Sequence, residues 1–148
     1  MKNIKFSRLF AAFAFVAILA LAGCKQQPEE THKAIEGTWV STWGEKFVIT
    51  NSELKNYYGN NISYAGNEIQ IDESTGYIYI KYTQNSNLSN VVGKWYALHY
   101  KELNGNNVKI SGAWKAGGQS SCETLEAAKA EFTVANGYFA SYSDCVKQ

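Results

Sequence analysis

The sequence has little of what charged or metal-based chemistry requires. Arginine occurs once, at Arg8, so the chain beyond it lacks the planar fork that clamps phosphate and carboxylate groups. Histidine occurs only at His32 and His99, and aspartate only at Asp72 and Asp144. A Ser-His-Asp relay has almost nothing to be built from, and no His-Glu-x-x-His zinc motif occurs. Gly117-Gly118 has no lysine after it to make a phosphate loop. The formal net charge is only +1, which leaves no basic excess for nucleic acid. The inventory predicts a protein that is not an enzyme and that uses no metal or cofactor.

What is present begins at the N-terminus. Lys2, Lys5 and Arg8 form a basic head, Leu9 to Leu21 is an apolar run without a charge, and Ala22-Gly23 leads into Cys24. This is the layout of a secretory signal peptide, and the run is short of the ~20 apolar residues that span a bilayer. Leu21-Ala22-Gly23-Cys24 resembles the lipobox of bacterial lipoproteins. The resemblance implies cleavage after residue 23 and acylation of Cys24, including an amide-linked chain of the palmitate type. One acyl chain binds a membrane only marginally, so the several chains of that family make a stable anchor. The partner implied is a membrane, reached through Cys24 from the extracytoplasmic side of a bacterial envelope. Lys25 is not the aspartate associated with inner-membrane retention, which favours the outer membrane or the cell surface.

Cleavage leaves 125 of the 148 residues, the size of one domain. It also leaves 11 of the 14 basic residues against 13 acidic ones, a mildly acidic mature chain. Residues 24–36 are polar, contain the single proline, Pro28, and read as a tether, with His32 a solvated residue inside it. With Cys24 assigned to lipid, Cys122 and Cys145 remain as a pair. In an exported chain they are expected to form a disulfide worth roughly 3 kcal/mol, the alternative being two free thiols.

From Gly37 onward, short aromatic or β-branched runs alternate with Gly/Asn/Ser turns. Ile69 and Ile71 alternate with polar neighbours, as do Val108 and Ile110, and Ile78, Ile80 and Tyr82 share one face opposite Tyr77, Tyr79 and Lys81. The expected strands are 38–43, 46–51, 54–58, 61–65, 68–73, 76–83, 92–103 and 107–115, with a hairpin at 132–135 and 138–143. Ala65-Gly66-Asn67 reads as a turn, and 84–90 as a longer, mobile rim loop. Ser120 and Glu123 offer a capping box for a short helix over 124–132. Tight turns make successive strands antiparallel neighbours, and closure removes their exposed edges. The fold class is therefore mainly β: an antiparallel up-and-down barrel of about eight strands over 37–148, with one short helix toward the C-terminus and a two-sheet sandwich as the alternative.

Gly37-Thr38-Trp39 opens the first strand soon after the tether. This Gly-x-Trp placement is similar to the signature of lipocalins and the wider calycin group. The resemblance implies that Trp39 plugs one end of the barrel. Lipocalins also pack an arginine from near the last strand over that tryptophan, and here no arginine follows residue 8.

Aromatic side chains are the abundant chemical resource, with 10 Tyr and 4 Trp. Most must pack the core, but Tyr and Trp also suit binding sites, having an apolar face and a polar tip. Trp39, Tyr77, Tyr79, Trp95 and His99 are the candidate ligand-binding residues. Tyr77 and Tyr79 would line a cavity if their face is interior, or an outer patch if it is not. His99 shares a face with Trp95, Ala97 and Lys101. The expected function is an anchored barrel that binds a small apolar or sugar-like ligand. The alternatives are a protein-binding module, such as an inhibitor or adhesin, and an envelope structural protein.

Overall fold

The computed structural model describes residues 33–148. The leader over 1–23, Cys24 and the tether as far as residue 32 lie outside those residues. Eight strands form a closed barrel in sequence order, every neighbouring pair antiparallel. They are β1 (Gly37–Ser41), β2 (Glu45–Ile49), β3 (Glu53–Tyr58), β4 (Asn61–Asp72), β5 (Tyr77–Asn85), β6 (Trp95–Asn104), β7 (Asn107–Gly112) and β8 (Ser143–Lys147). Closure is made by β8 pairing with β1, where Trp39 stands opposite Lys147 and Ser41 opposite Cys145. The sheet has no unpaired edge, which answers the edge problem that the hairpin rhythm posed.

The alternation in the sequence sets the two faces. Ile78, Ile80 and Tyr82 are buried inside, and so are Tyr96, Leu98 and Tyr100 from β6. Phe47, Ile49, Leu54, Val108 and Ile110 complete this interior. Eight strands enclose a space of the size that bulky inward side chains can fill, and these buried residues project into it.

Three expectations are corrected. The segments 61–65 and 68–73 are one strand, β4, and Ala65-Gly66-Asn67 passes through register shifts rather than a turn. A Cβ at Gly66 would stand 2.8 Å from Ile80 Cβ, so the bare glycine lets β5 lie close and the strand run on. The hairpin at 132–143 does not form. Phe132, Tyr138 and Phe139 are buried as single knobs, and apart from one isolated bridge between Phe139 and Trp114 the chain joins a strand again only at β8. The helix is α1 (Leu125–Glu131), capped by Thr124 Oγ1 accepting from Ala127 N at 3.1 Å, not by Ser120. Glu123 instead pairs with Lys94 at 2.7 Å.

The disulfide is absent too, and both thiols are free. Cys145 sits in β8 between Ser41 and Val108, whereas Cys122 exchanges backbone hydrogen bonds with Trp95 in β6. Cys122 flanks β6 on its β7 side at the start of β6, whereas Cys145 lies opposite Val108 near the start of β7. The two are offset along the barrel wall by several residues at ~3.3 Å each, beyond the ~7 Å Cα limit for a bridge. Burial pushes the Cys145 thiol up to about 12, with Glu45 adding to the effect.

A second layer covers part of the outside. The β7–β8 connection carries α1, which packs against β5 and β6. Under it Trp95 and Ala97 are buried although they face outward. The expected rim loop between β5 and β6 is tied down by a 3-10 turn at Ser89–Val91, whose Val91 is buried. Among the described residues no helix is long and apolar enough to cross a membrane.

Candidate functional site

Antiparallel order puts the starts of β1, β3, β5 and β7 at one end of the barrel, with the ends of β2, β4, β6 and β8. The described chain enters at this end, and the end is sealed. Trp39 is fully buried there, and its indole Nε1–H donates to Ile35 O at 2.7 Å. Ile35 is fully buried beside it. Glu73, from the β4–β5 turn, accepts from Ala34 N at 2.9 Å and from Lys33 Nζ at 3.2 Å, pinning the entering strap. Lys147 Nζ lies 5.1 Å from the centre of the Trp39 ring, a cation–π contact. A Cβ on Gly37 would come within 2.6 Å of Lys147 Cε, so the glycine leaves room for that lysine.

The opposite end is the mouth. Inside it the interior turns polar. Glu45 accepts from Asn56 Nδ2 at 3.0 Å through one carboxylate oxygen and from Ser143 Oγ at 2.7 Å through the other. Three tyrosines stand in the same half: Tyr82 stacks on Tyr96 at 4.9 Å, and Tyr64 meets both edge-on. Burial raises the hydroxyl pKa of all three, and Glu45 adds to the rise at Tyr64 and Tyr96. Tyr96 also reaches a cleft of about 480 Å³ between the β5–β6 loop and the chain leaving β7. Trp114 and Leu88 wall this cleft and are 73% and 40% exposed. Trp43 and Tyr58 stand exposed at the same end but do not line the cleft.

The expected site residues divide among three places. Trp39 is in the sealed floor. Trp95 is buried on the outer wall against Cys122. Tyr77, Tyr79 and His99 come together on that wall, so their face is exterior. Tyr77 lies 4.7 Å from His99 and 5.9 Å from Tyr79, ring centre to ring centre. With Gln70, Asp72 and Lys129, Tyr77 and Tyr79 line a groove of about 360 Å³. Tyr79 is buried there, with its hydroxyl pushed up to about 12, and Lys129 Nζ stands 5.7 Å from its ring centre. Asp72 is spent on its own turn, accepting from Ser74 and Thr75. This groove is therefore mainly a seam where the outer layer meets the barrel.

His99 is the clasp of that seam. Its Nε2 lies 3.1 Å from Thr75 O, which can only accept, so Nε2 carries the hydrogen. Nδ1 then accepts from the Tyr142 hydroxyl at 2.8 Å. Both bonds suit the neutral ring. Burial lowers its pKa, and Lys101, whose ammonium sits over the Tyr142 ring at 4.1 Å, lowers it further against the opposing pull of the Thr75 carbonyl. A folded pKa below the unfolded value means the unfolded chain binds the proton first. The stability due to His99 is then complete above ~6.5, the free-histidine value, and declines as pH falls through it. The urea midpoint of the wild type is expected to drop between pH 7.5 and 5.5, while His99→Gln stays level over that window. A wild-type midpoint that holds or rises on acidification contradicts this assignment.

Comparison with protein families, with curated proteins and with solved structures finds no match for the chain. What the barrel can do is therefore set by its own side chains. Among the described residues no group of three His, Cys, Asp or Glu side chains converges as metal ligands would. The mouth cleft was not legible beforehand. Trp114 follows β7 and precedes a glycine-rich turn, but nothing in sequence distinguishes an exposed tryptophan from a buried one.

Proposed function

We propose that the chain is a bacterial lipoprotein, anchored through Cys24 on the extracytoplasmic side of the envelope, whose lipocalin-like barrel holds a small ligand at its mouth. The observation that carries this reading is the contrast between the two ends. One is closed by Ile35, Trp39 and Lys147, and the other presents a cleft walled by exposed Trp114 and Leu88. Large apolar side chains held in water beside a concave surface are a mark of binding. Lys147 over Trp39 supports the likeness to lipocalins, with a lysine where that family carries an arginine. The bound molecule is placed at the rim, because the cleft lies there and the interior positions carry large buried side chains.

Trp43 and Tyr58 favour a second reading, in which a partner protein docks on the same end. Native mass spectrometry of the full chain, extracted from bacterial membranes in detergent, separates the two. A bound small molecule that Trp114→Ala loses and Trp43→Ala keeps is the expected result. A cross-linked protein at the rim that Trp43→Ala abolishes, with no small molecule, overturns it. In the same cells Cys24→Ser is expected to lose both the acyl label and the membrane fractionation.

A further inference from the structure

We infer that the ligand of the mouth cleft is a neutral saccharide, an assignment that rests on the mouth being the binding site. Charge is the first discriminator. Lys115 is the one ionised side chain on the cleft wall, and its ammonium is already engaged. It donates to Asn136 O at 3.2 Å, lies 4.3 Å from the centre of the Tyr138 ring and stands 3.9 Å from Glu131. No carboxylate lines the cleft. A charged ligand would find no counter-charge free to repay its desolvation.

Polarity is the second. Asn87, Gln119 and Ser120 are exposed along the cleft, and their side chains make no hydrogen bond among the described residues. A wholly apolar ligand would cover these groups and leave them unpaired, at a cost for each. Carboxamides and hydroxyls both donate and accept, as the hydroxyls of a sugar do. The Trp114 indole supplies the remaining element. Its side chain is 73% exposed, yet its backbone is fixed, because Trp114 N donates to Tyr138 O at 2.9 Å and the residue bridges to Phe139. An aromatic face carried on a fixed backbone offers apolar contact to the C–H face of a pyranose, while the sugar's hydroxyls reach the polar edge. Gly117 has open space where a side chain would stand, so the backbone beside the indole is accessible.

The test uses the full chain in a detergent free of sugar. Soluble neutral sugars (glucose, galactose, N-acetylglucosamine and their trimers) are titrated by calorimetry, and immobilised neutral polysaccharides form a parallel arm that separates free from polymeric glycan. Binding to at least one arm is expected, at least tenfold weaker in Trp114→Ala, less affected in Trp114→Phe, and changed less than twofold between 50 and 500 mM salt. Asn87→Ala and Gln119→Ala are each expected to weaken it severalfold. Should no neutral saccharide bind while a fluorescent fatty acid does so in a Trp114-dependent way, the saccharide assignment fails and the mouth site stands. If neither probe binds, both fail. Saccharide binding that Trp114→Ala leaves intact also overturns the assignment.

Discussion

Trp39→Ala is expected to remove about 4 kcal/mol of folding stability, a large share of the ~5–15 kcal/mol that a domain of this size possesses. Two losses combine. The indole is fully buried among interior side chains, so truncation leaves a cavity at the barrel floor. The Ile35 carbonyl, which accepts the indole N–H at 2.7 Å, also loses its side-chain donor. That bond ties the entering strap to β1, so the strap should loosen and Ile35 should become accessible to hydrogen exchange. Trp39→Phe keeps most of the ring but not the N–H, and is expected to cost roughly half as much. Trp114→Ala is the contrast, because a 73% exposed side chain away from the core should change stability by no more than ~0.5 kcal/mol. Urea unfolding of the three variants decides it. A Trp39→Ala cost under 1 kcal/mol would mean that the floor is not packed as described.

The difference between those two tryptophans also marks what could be read from sequence. The place of Trp39 was expected only through the resemblance of Gly37-Thr38-Trp39 to lipocalins, and the indole is buried at the floor. Lys147 beside it was not, because nothing local to β8 announces that closure sets this lysine over the Trp39 ring. Period-2 alternation grouped Ile78, Ile80 and Tyr82 on one face without saying which face is interior, and in the barrel theirs is the inner one. It left open whether Tyr77 and Tyr79 faced the interior or the outside, and it gave no sign that their exterior face, with His99, is partly covered. The cover comes from residues 113–142, which have no period that points to β5 and β6. Phe132, Tyr138 and Phe139 were mistaken for strand residues on composition. Aromatic β-propensity mainly reflects a half-buried surface, and these side chains find theirs without joining a ladder. Cysteine parity failed for a similar reason. It counts residues without measuring how far apart the barrel places them, and Cys122 beside Trp95 and Cys145 beside Val108 are offset along the wall.

The polar half of the interior shows a further limit. Glu45 and Asn56 meet within the β2–β3 hairpin, but Ser143 lies far off in sequence, and only barrel closure brings β8 to them so that one carboxylate accepts from both. Nothing local to any of the three announces the cluster. Its consequence is that the mouth half of the barrel is held by hydrogen bonds and tyrosine contacts, and the floor by apolar packing. Sites that bind need a fixed polar framework around a small apolar surface. The floor supplies stability, and the mouth keeps side chains in water.

Gly76→Ala is expected to be among the most damaging single changes outside the aromatic core, costing on the order of 3 kcal/mol or more. Gly76 closes the β4–β5 turn with φ +77°, and a Cβ there would stand 2.2 Å from Tyr100 O. The backbone cannot retreat to make room. Gly76 N donates to Asp72 O at 2.8 Å, and Gly76 O accepts from Tyr100 N at 2.8 Å, so the turn is held from both sides. Relieving the clash means breaking the bond to β6 or displacing the residue beside the His99 clasp. Gly105→Ala separates the two contributions. Gly105 also has a positive φ, +57°, but open space surrounds the position of its Cβ, so only the conformational cost of about 1 kcal/mol remains. Urea midpoints of the two variants, compared at pH 7.5 where His99 is neutral in both states, should differ by the contact with Tyr100 alone. Equal costs for the two would show that the close approach of the turn to β6 carries no energy, and would remove the packing argument for Gly76.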